Sequence, residues 1–258
     1  MAAQQPTSPA GSDSEATVTL AIVTALELEA QPLRELLSQV TTFRPAGRTV
    51  SVGRLGDTSI AVVAGGVGQR ASASATRLLI DGHQPKWIIS AGLCGGLVAE
   101  LSRNQTFIPD MVIAGDGPER IPLDVPPCLR DCDVVCGGSL VTADRVIVTP
   151  DDKRSLHERS SALAVDMESL GVAREAAASG VRTSVVRVVC DALDDRIPED
   201  IATLLAYGSG ARQAGAAVRL AWRRPSSIVE LAELRERAHL AAQQIDPVLK
   251  RLAATCGS

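Results

Sequence analysis

The sequence predicts a three-layer α/β fold, with a central mixed and mostly parallel sheet and helices on both faces. Two observations carry that prediction. Short apolar runs rich in β-branched residues alternate with segments of helical period through most of the chain, as in a parallel sheet built from crossover units. Glycine-rich turns and carboxylates also fall at the ends of several of those runs. Ligands of such sheets bind just there, beyond the carboxyl ends of the strands. The 258 residues are 45% hydrophobic, enough for one large domain, and only 2% aromatic, so its core must be aliphatic.

In chain order, residues 1–16 (MAAQQPTSPAGSDSEA) have neither the basic segment nor the apolar stretch of a signal peptide and read as a disordered tail. Residues 17–224 read as the main domain, and 225–258 as a C-terminal helical extension of it. The run from Val18 to Ala25 (VTLAIVTA) predicts a buried strand, and Glu27 to Leu37 a helix. Arg48 to Leu55 and Ile60 to Ala64 predict two strands joined by a turn at Gly56-Asp57, running into Gly65-Gly66-Val67-Gly68 and a helix that ends near Asp81-Gly82. Trp87 to Ser90 is a strand that leads into the glycine turn Gly92-Leu93-Cys94-Gly95-Gly96. Met111 to Ala114 is a further strand, 115–133 a loop, 138–148 strand-like, 151–158 helical and 162–166 a strand. Glu168 to Ala178 is helical, and Thr183 to Cys190 (TSVVRVVC) a strand. In the extension, Ser227 and Glu230 form a capping box. An apolar stripe then runs through Leu231, Leu234, Ala238, Ala241, Ile245, Val248 and Leu252, with Pro247 expected to kink or interrupt the helix near Asp246.

Composition removes several classes of function. A net charge of −4 argues against binding to a nucleic-acid backbone. No apolar run reaches the length of a membrane span. The six cysteines contain no CxxC pair, and Cys128, Cys132 and Cys136 have no histidine nearby, so reduced thiols in a cytoplasmic protein are expected, with no metal and no cofactor. A dinucleotide site fails on spacing, because Gly65-Gly66-Val67-Gly68 is not GxGxxG.

Four segments can carry chemistry: Ala25-Leu26-Glu27-Leu28-Glu29, the two glycine turns, Ala164-Val165-Asp166-Met167-Glu168-Ser169, and Val186-Arg187-Val188-Val189-Cys190-Asp191. Each has an ordinary structural use as well, since acids favour helix starts and Asp favours turns. Together they suit cleavage of a bond between ribose and a purine. That reaction needs an acid beside the departing base, a base that activates water and a carboxylate that holds the ribose hydroxyls. Asp191, Glu29 and Glu168 would fill those roles in that order.

These segments, in this order, resemble the nucleoside phosphorylase superfamily, and most of all the methylthioadenosine/S-adenosylhomocysteine nucleosidases. ALELE, GGVGQ, AGLCGGL, VDMES and RVVCD stand where that branch has its acidic opening, two glycine turns, ribose segment and catalytic strand end, over about residues 18–222. The resemblance implies that 17–224 is a nucleoside phosphorylase-like catalytic domain and that the protein is a homodimer; Phe107 to Val112 would give part of the interface. It implies catalytic roles for Glu29 on water, Arg187 in positioning that water and Asp191 at purine N7. Met167 and Glu168 would bind ribose, with Gly92, Val146 and Ile147 completing the substrate pocket.

Leu93, Cys190 and Val146 depart from the usual residues of that branch and point away from methylthioadenosine as the preferred substrate. A second, shorter resemblance, which includes Leu220 to Pro225, is to the hopanoid-associated branch and adds adenosylhopane to methylthioadenosine and S-adenosylhomocysteine as candidate substrates. The apolar stripe of the C-terminal helix either packs on the protein's own sheet or, with Trp222 and the arginines beside it, stays partly exposed and makes a peripheral membrane contact. Phosphorolysis is the alternative reaction, but an acid follows the first strand where phosphate would need a cation, which favours water. A nucleoside-binding protein without catalysis is the remaining alternative; it would have no need for Glu29 and Asp191 together.

Overall fold

The computed structural model describes residues 17–130, 133–198, 202, 240 and 243–255. The expected tail at 1–16, the capping box of Ser227 and Glu230, the stripe from Leu231 to Ala241 and Trp222 to Pro225 lie outside the described residues.

The centre of the molecule is a parallel group of strands. Leu20–Thr24 (β1) lies between Thr58–Ala64 (β4) and Trp87–Gly96 (β5), and Arg182–Asp191 (β12) pairs in parallel with the other edge of β5. Side chains alternate across these strands. Leu20 and Ile22 of β1 enter one core cluster, with Ile60, Val62 and Ile89, while Ala21 and Val23 enter another, with Ala61, Val63 and Ile88. The first cluster is covered by Ala30 and Leu33 of Glu27–Glu35 (α1). The second is covered by Gln69–His83 (α2) and Ser169–Ala178 (α4), through Ala75, Leu79, Val172 and Ala176. Helices on both faces of a mixed sheet give the three layers the sequence predicts.

The C-terminal residues 243–255 form a helix, α5, whose Ile245, Val248, Leu249 and Leu252 are buried in the same cluster as Leu20, Ile22 and Ile89. The Thr58 hydroxyl donates to the carbonyl of Ala253 at 2.6 Å, fixing α5 to the start of β4. The described part of the apolar stripe therefore packs on the protein's own sheet. The helix also runs unbroken across Pro247, where an interruption was expected.

Other expectations change once distant strands meet. Ser38–Phe43 (β2) and Val50–Leu55 (β3) form an antiparallel edge with β4; β2 is polar and exposed, which is why its sequence gives no strand pattern. Thr106–Ile108 (β6) pairs with β12 and with Val135–Cys136 (β9). Met111–Ala114 (β7) pairs with Arg120–Pro122 (β8), inside the segment expected to be loop. Ser139–Thr142 (β10) ends well before Val148, so the strand-like run 138–148 is strand only in its first part. The helix Pro150–Ser160 (α3) follows, and then Ala164–Asp166 (β11), which pairs with β10 in parallel and with β5 antiparallel. Phe107, Ile108 and Val112 are fully buried in the chain's own core, so these side chains do not offer the surface expected of a subunit interface.

The largest correction concerns Gly92 to Gly96. These residues continue β5 as strand rather than forming a turn, because β12 pairs with them as far as Gly95. The opposite edge of β5 is different. Its pairing with β1 ends at Ser90, and β11 takes over only at Gly95 and Gly96. Between those points one edge of β5 has no neighbouring strand among the described residues, and there the sheet changes partners. Such switch points open crevices in α/β sheets.

Candidate active site

The crevice is a small, partly enclosed recess lined by Thr24, Ala25, Glu29, Gly92, Leu93, Glu168 and Arg187, among others. Glu29 is brought there by the start of α1. Its carboxylate reaches back to accept the backbone N–H groups of Ala25 (3.0 Å) and Leu26 (2.8 Å), the latter being the N-cap. Such a back-bond is a common device at the third position of a helix. The other oxygen accepts the N–H of Leu93 at 3.2 Å, a strand donor on the edge of β5 between its pairings with β1 and β11. Burial raises the Glu29 carboxyl above the usual carboxylate range, against the opposing pull of these hydrogen bonds and of Arg187. A buried carboxyl of this kind is suited to take a proton from water.

Gly92 makes this approach sterically feasible. A Cβ there would lie 2.9 Å from Glu29 Oε1 and 3.3 Å from Arg187 Nη1. Only glycine lets the strand pass this close to both groups.

Arg187 is buried on β12 and held by a set of acceptors. Nε and Nη2 donate to Asp166 Oδ2 at 3.0 and 2.8 Å, and Nη2 also donates to Ser90 and Ser169 hydroxyls at 2.8 Å each. Burial disfavours its charge, but Asp166, Glu168 and Glu29 outweigh that and hold its pKa above the ordinary arginine value. Asp166 is itself fixed by the Thr142 hydroxyl at 2.7 Å and the Ser169 N–H at 3.0 Å.

Glu168 stands at the N-cap of α4 and crosses to the α2 side, where it accepts the Gly68 N–H at 2.9 Å. Burial, and then the charge on Asp166, push its carboxyl up to about 7. Glu168 is half-buried and lines the recess.

Asp191 ends β12, at a register shift in the β5–β12 pairing that places it opposite Gly95 of β5. A Cβ at Gly95 would lie 3.0 Å from its Oδ2. Asp191 is buried and ion-paired to the fully buried Lys153 at 2.5 Å, and the Cys190 thiol donates to its Oδ1 at 2.9 Å.

Of the residues singled out from sequence, Glu29, Gly92, Glu168 and Arg187 share the recess. Asp191, Met167, Val146 and Ile147 lie outside the described residues that line it. The backbone N–H of Met167 donates to Glu168 at 3.3 Å, so Met167 adjoins the site. Ile147 packs instead against a cluster containing Leu97, Val141, Leu156 and Val165. Sequence reasoning gave no role to Asp166, Ser90, Ser169 or Lys153. Asp166 and Ser169 stood within the singled-out VDMES segment, whereas Ser90 and Lys153 carried no local signal.

A model of the phosphorylase superfamily matches residues 19–221 of this chain. Among curated relatives, a 5′-methylthioadenosine/S-adenosylhomocysteine nucleosidase of Pseudoalteromonas translucida is 33% identical over 99 residues. That match covers 38% of this chain and 40% of the relative, so the aligned part spans less than half of that protein. The enzyme of the same description from Haemophilus ducreyi is 23% identical over 198 residues, covering 68% of this chain and 85% of the relative. Among solved structures, an S-adenosylhomocysteine nucleosidase of Streptococcus pyogenes in complex with 5-methylthiotubericidin superposes with a TM-score of 0.69 at 19% identity. It covers 92% of this chain and 97% of that one. This last likeness is one of fold.

Proposed function

The chain belongs to the phosphorylase superfamily, and from that premise we propose that it hydrolyses the N-glycosidic bond of a purine nucleoside, releasing the free base. The observation that carries the reading is the convergence of Glu29, Arg187 and Glu168 on one recess at the sheet's switch point. Glu29 accepts a proton from the attacking water while Arg187, held by Asp166, places a fixed positive charge beside it. Glu168 accepts hydrogen bonds from the ribose hydroxyls; such bonds to a charged acceptor are among the stronger ones available. Asp191 supplies the proton to the departing base, whose negative charge would otherwise oppose cleavage.

Water is favoured over phosphate because the group facing the recess from α1 is a carboxylate. A dianion beside it in a low-dielectric site would be repelled. The names of the curated relatives support an adenosine with a modified 5′ position as substrate, methylthioadenosine or S-adenosylhomocysteine among them. Adenosylhopane rests on the shorter sequence resemblance. A homodimer in the cytoplasm completes the proposal; a monomer in light scattering at micromolar concentration would contradict the dimer.

The deciding experiment is a substrate panel scored for free base release with and without phosphate. It contains adenosine, inosine, methylthioadenosine, S-adenosylhomocysteine and an adenosine with a long apolar 5′ group. Base release that does not depend on phosphate is the expected result. Turnover only with phosphate would make the protein a phosphorylase, and binding without turnover would make it a nucleoside-binding protein.

A further inference from the structure

Resting on the reading of Asp191 as the acid, we infer that Lys153 is a positioning residue for that acid. Its ammonium group clamps the Asp191 carboxylate together with the turn behind it, and stabilises the anion left when the proton passes to the base. Lys153 is fully buried, although Arg154 beside it on α3 is exposed. Buried lysines are rare without a partner. All three donors of this ammonium find oxygen: Asp191 Oδ2 at 2.5 Å, the Ala192 carbonyl at 2.6 Å and the Asp195 carbonyl at 3.2 Å.

Every partner belongs to the end of β12 or the turn after it. The same turn is braced from its other side, where Asp195 accepts the Ala192 N–H at 2.7 Å and pairs with Arg103 at 2.5 Å. Among the described residues, Oδ1 of Asp191 has the Cys190 thiol, a weak donor, as its hydrogen-bond partner, and it is the oxygen placed to carry and deliver a proton.

The balance of the step is complete. The proton leaves Asp191 Oδ1 for a nitrogen of the departing base as the C–N electron pair goes with that base. The oxygen of water bonds to the sugar carbon and its proton goes to Glu29. Asp191 remains as a carboxylate paired with Lys153 until solvent protonates it again.

The test compares two substrates on the purified full chain. One is a ribonucleoside cleaved in the panel, whose base needs a proton to leave. The other is p-nitrophenyl β-D-ribofuranoside, whose nitrophenolate leaves unaided. Lys153→Met should lower kcat on the nucleoside by roughly a hundredfold, within the range for losing acid catalysis, and lose far less on the nitrophenyl riboside. Asp191→Asn should show the same discrimination, and Glu29→Gln, which disables water, should lose on both.

Adding Lys153→Met to Asp191→Asn should cost nothing further on the nucleoside, because Lys153 acts through Asp191. Equal losses of Lys153→Met on both substrates would overturn the inference, as would a double variant tenfold slower than Asp191→Asn. Where Lys153→Met alone fails to fold, the double variant leaves no lone buried charge and decides by that same comparison. If the wild-type protein cleaves neither substrate, the reading of the site as a nucleosidase fails, which is a different result.

Discussion

Replacing Glu168 by Gln should make the ligand-free protein more stable at alkaline pH while disabling it. The Glu168 carboxyl is lifted from 4.5 to about 7 by burial and by Asp166. Between those values the folded protein holds a proton that the unfolded chain has released, so stability falls as pH rises through this window and stays low above it. At about 1.4 kcal/mol for each tenfold change in proton affinity, a rise from 4.5 to about 7 bounds the effect near 3 kcal/mol. Glu168 is half-buried at the recess, and solvent screening there reduces the expected cost to about 1–2 kcal/mol. Gln keeps a carbonyl oxygen for the Gly68 N–H but carries no charge.

The assay is urea unfolding of wild type and Glu168→Gln without ligand, at about pH 5 and about pH 8. The variant should match wild type near pH 5 and exceed it near pH 8. Its base release should fall, since the ribose hydroxyls lose an ionised acceptor. A stability difference that is the same at both pH values would refute the reasoning, because the gain must come from the titration of this group.

Asp191→Asn should lower kcat by roughly 10²–10⁴-fold, read as free base released; turnover like wild type would remove Asp191 from the mechanism. Gly92→Ala places a methyl group 2.9 Å from Glu29 Oε1. Displacing that carboxylate should cost about a hundredfold in kcat, and near-normal turnover would show that Glu29 need not sit there. Leu252→Ala removes a fully buried side chain of α5. It should destabilise the fold by about 2–5 kcal/mol in urea unfolding. A change below about 0.5 kcal/mol, the size expected of a surface position, would mean that α5 is not part of the core.

Local pattern was enough for the central elements. VTLAIVTA and TSVVRVVC could bury themselves only as strands, and the acids after β1 and β11 mark the helix starts that follow. The residue types at those strand ends also made Glu29, Glu168, Arg187 and Asp191 legible as a group. What pattern could not supply was pairing across long stretches of chain. β2 is polar because it forms an exposed edge, and β6, β8 and β9 are too short to show a period. Gly92 to Gly96 read as a turn by composition, yet strand pairing with β12 outweighs the weak local preference of glycine.

The same distinction holds inside the site. A motif reports which side chains lie near one strand end, but not which partners the fold brings to them. Arg187 meets Asp166 across 21 residues and Ser90 across 97. Lys153 reaches Asp191 from a helix whose sequence reads as an ordinary charged surface segment. Whether a charged side chain is solvated or is the buried counterion of a reactive carboxylate depends on what packs above it. That is a property of the assembled layers, and only the tertiary structure decides it.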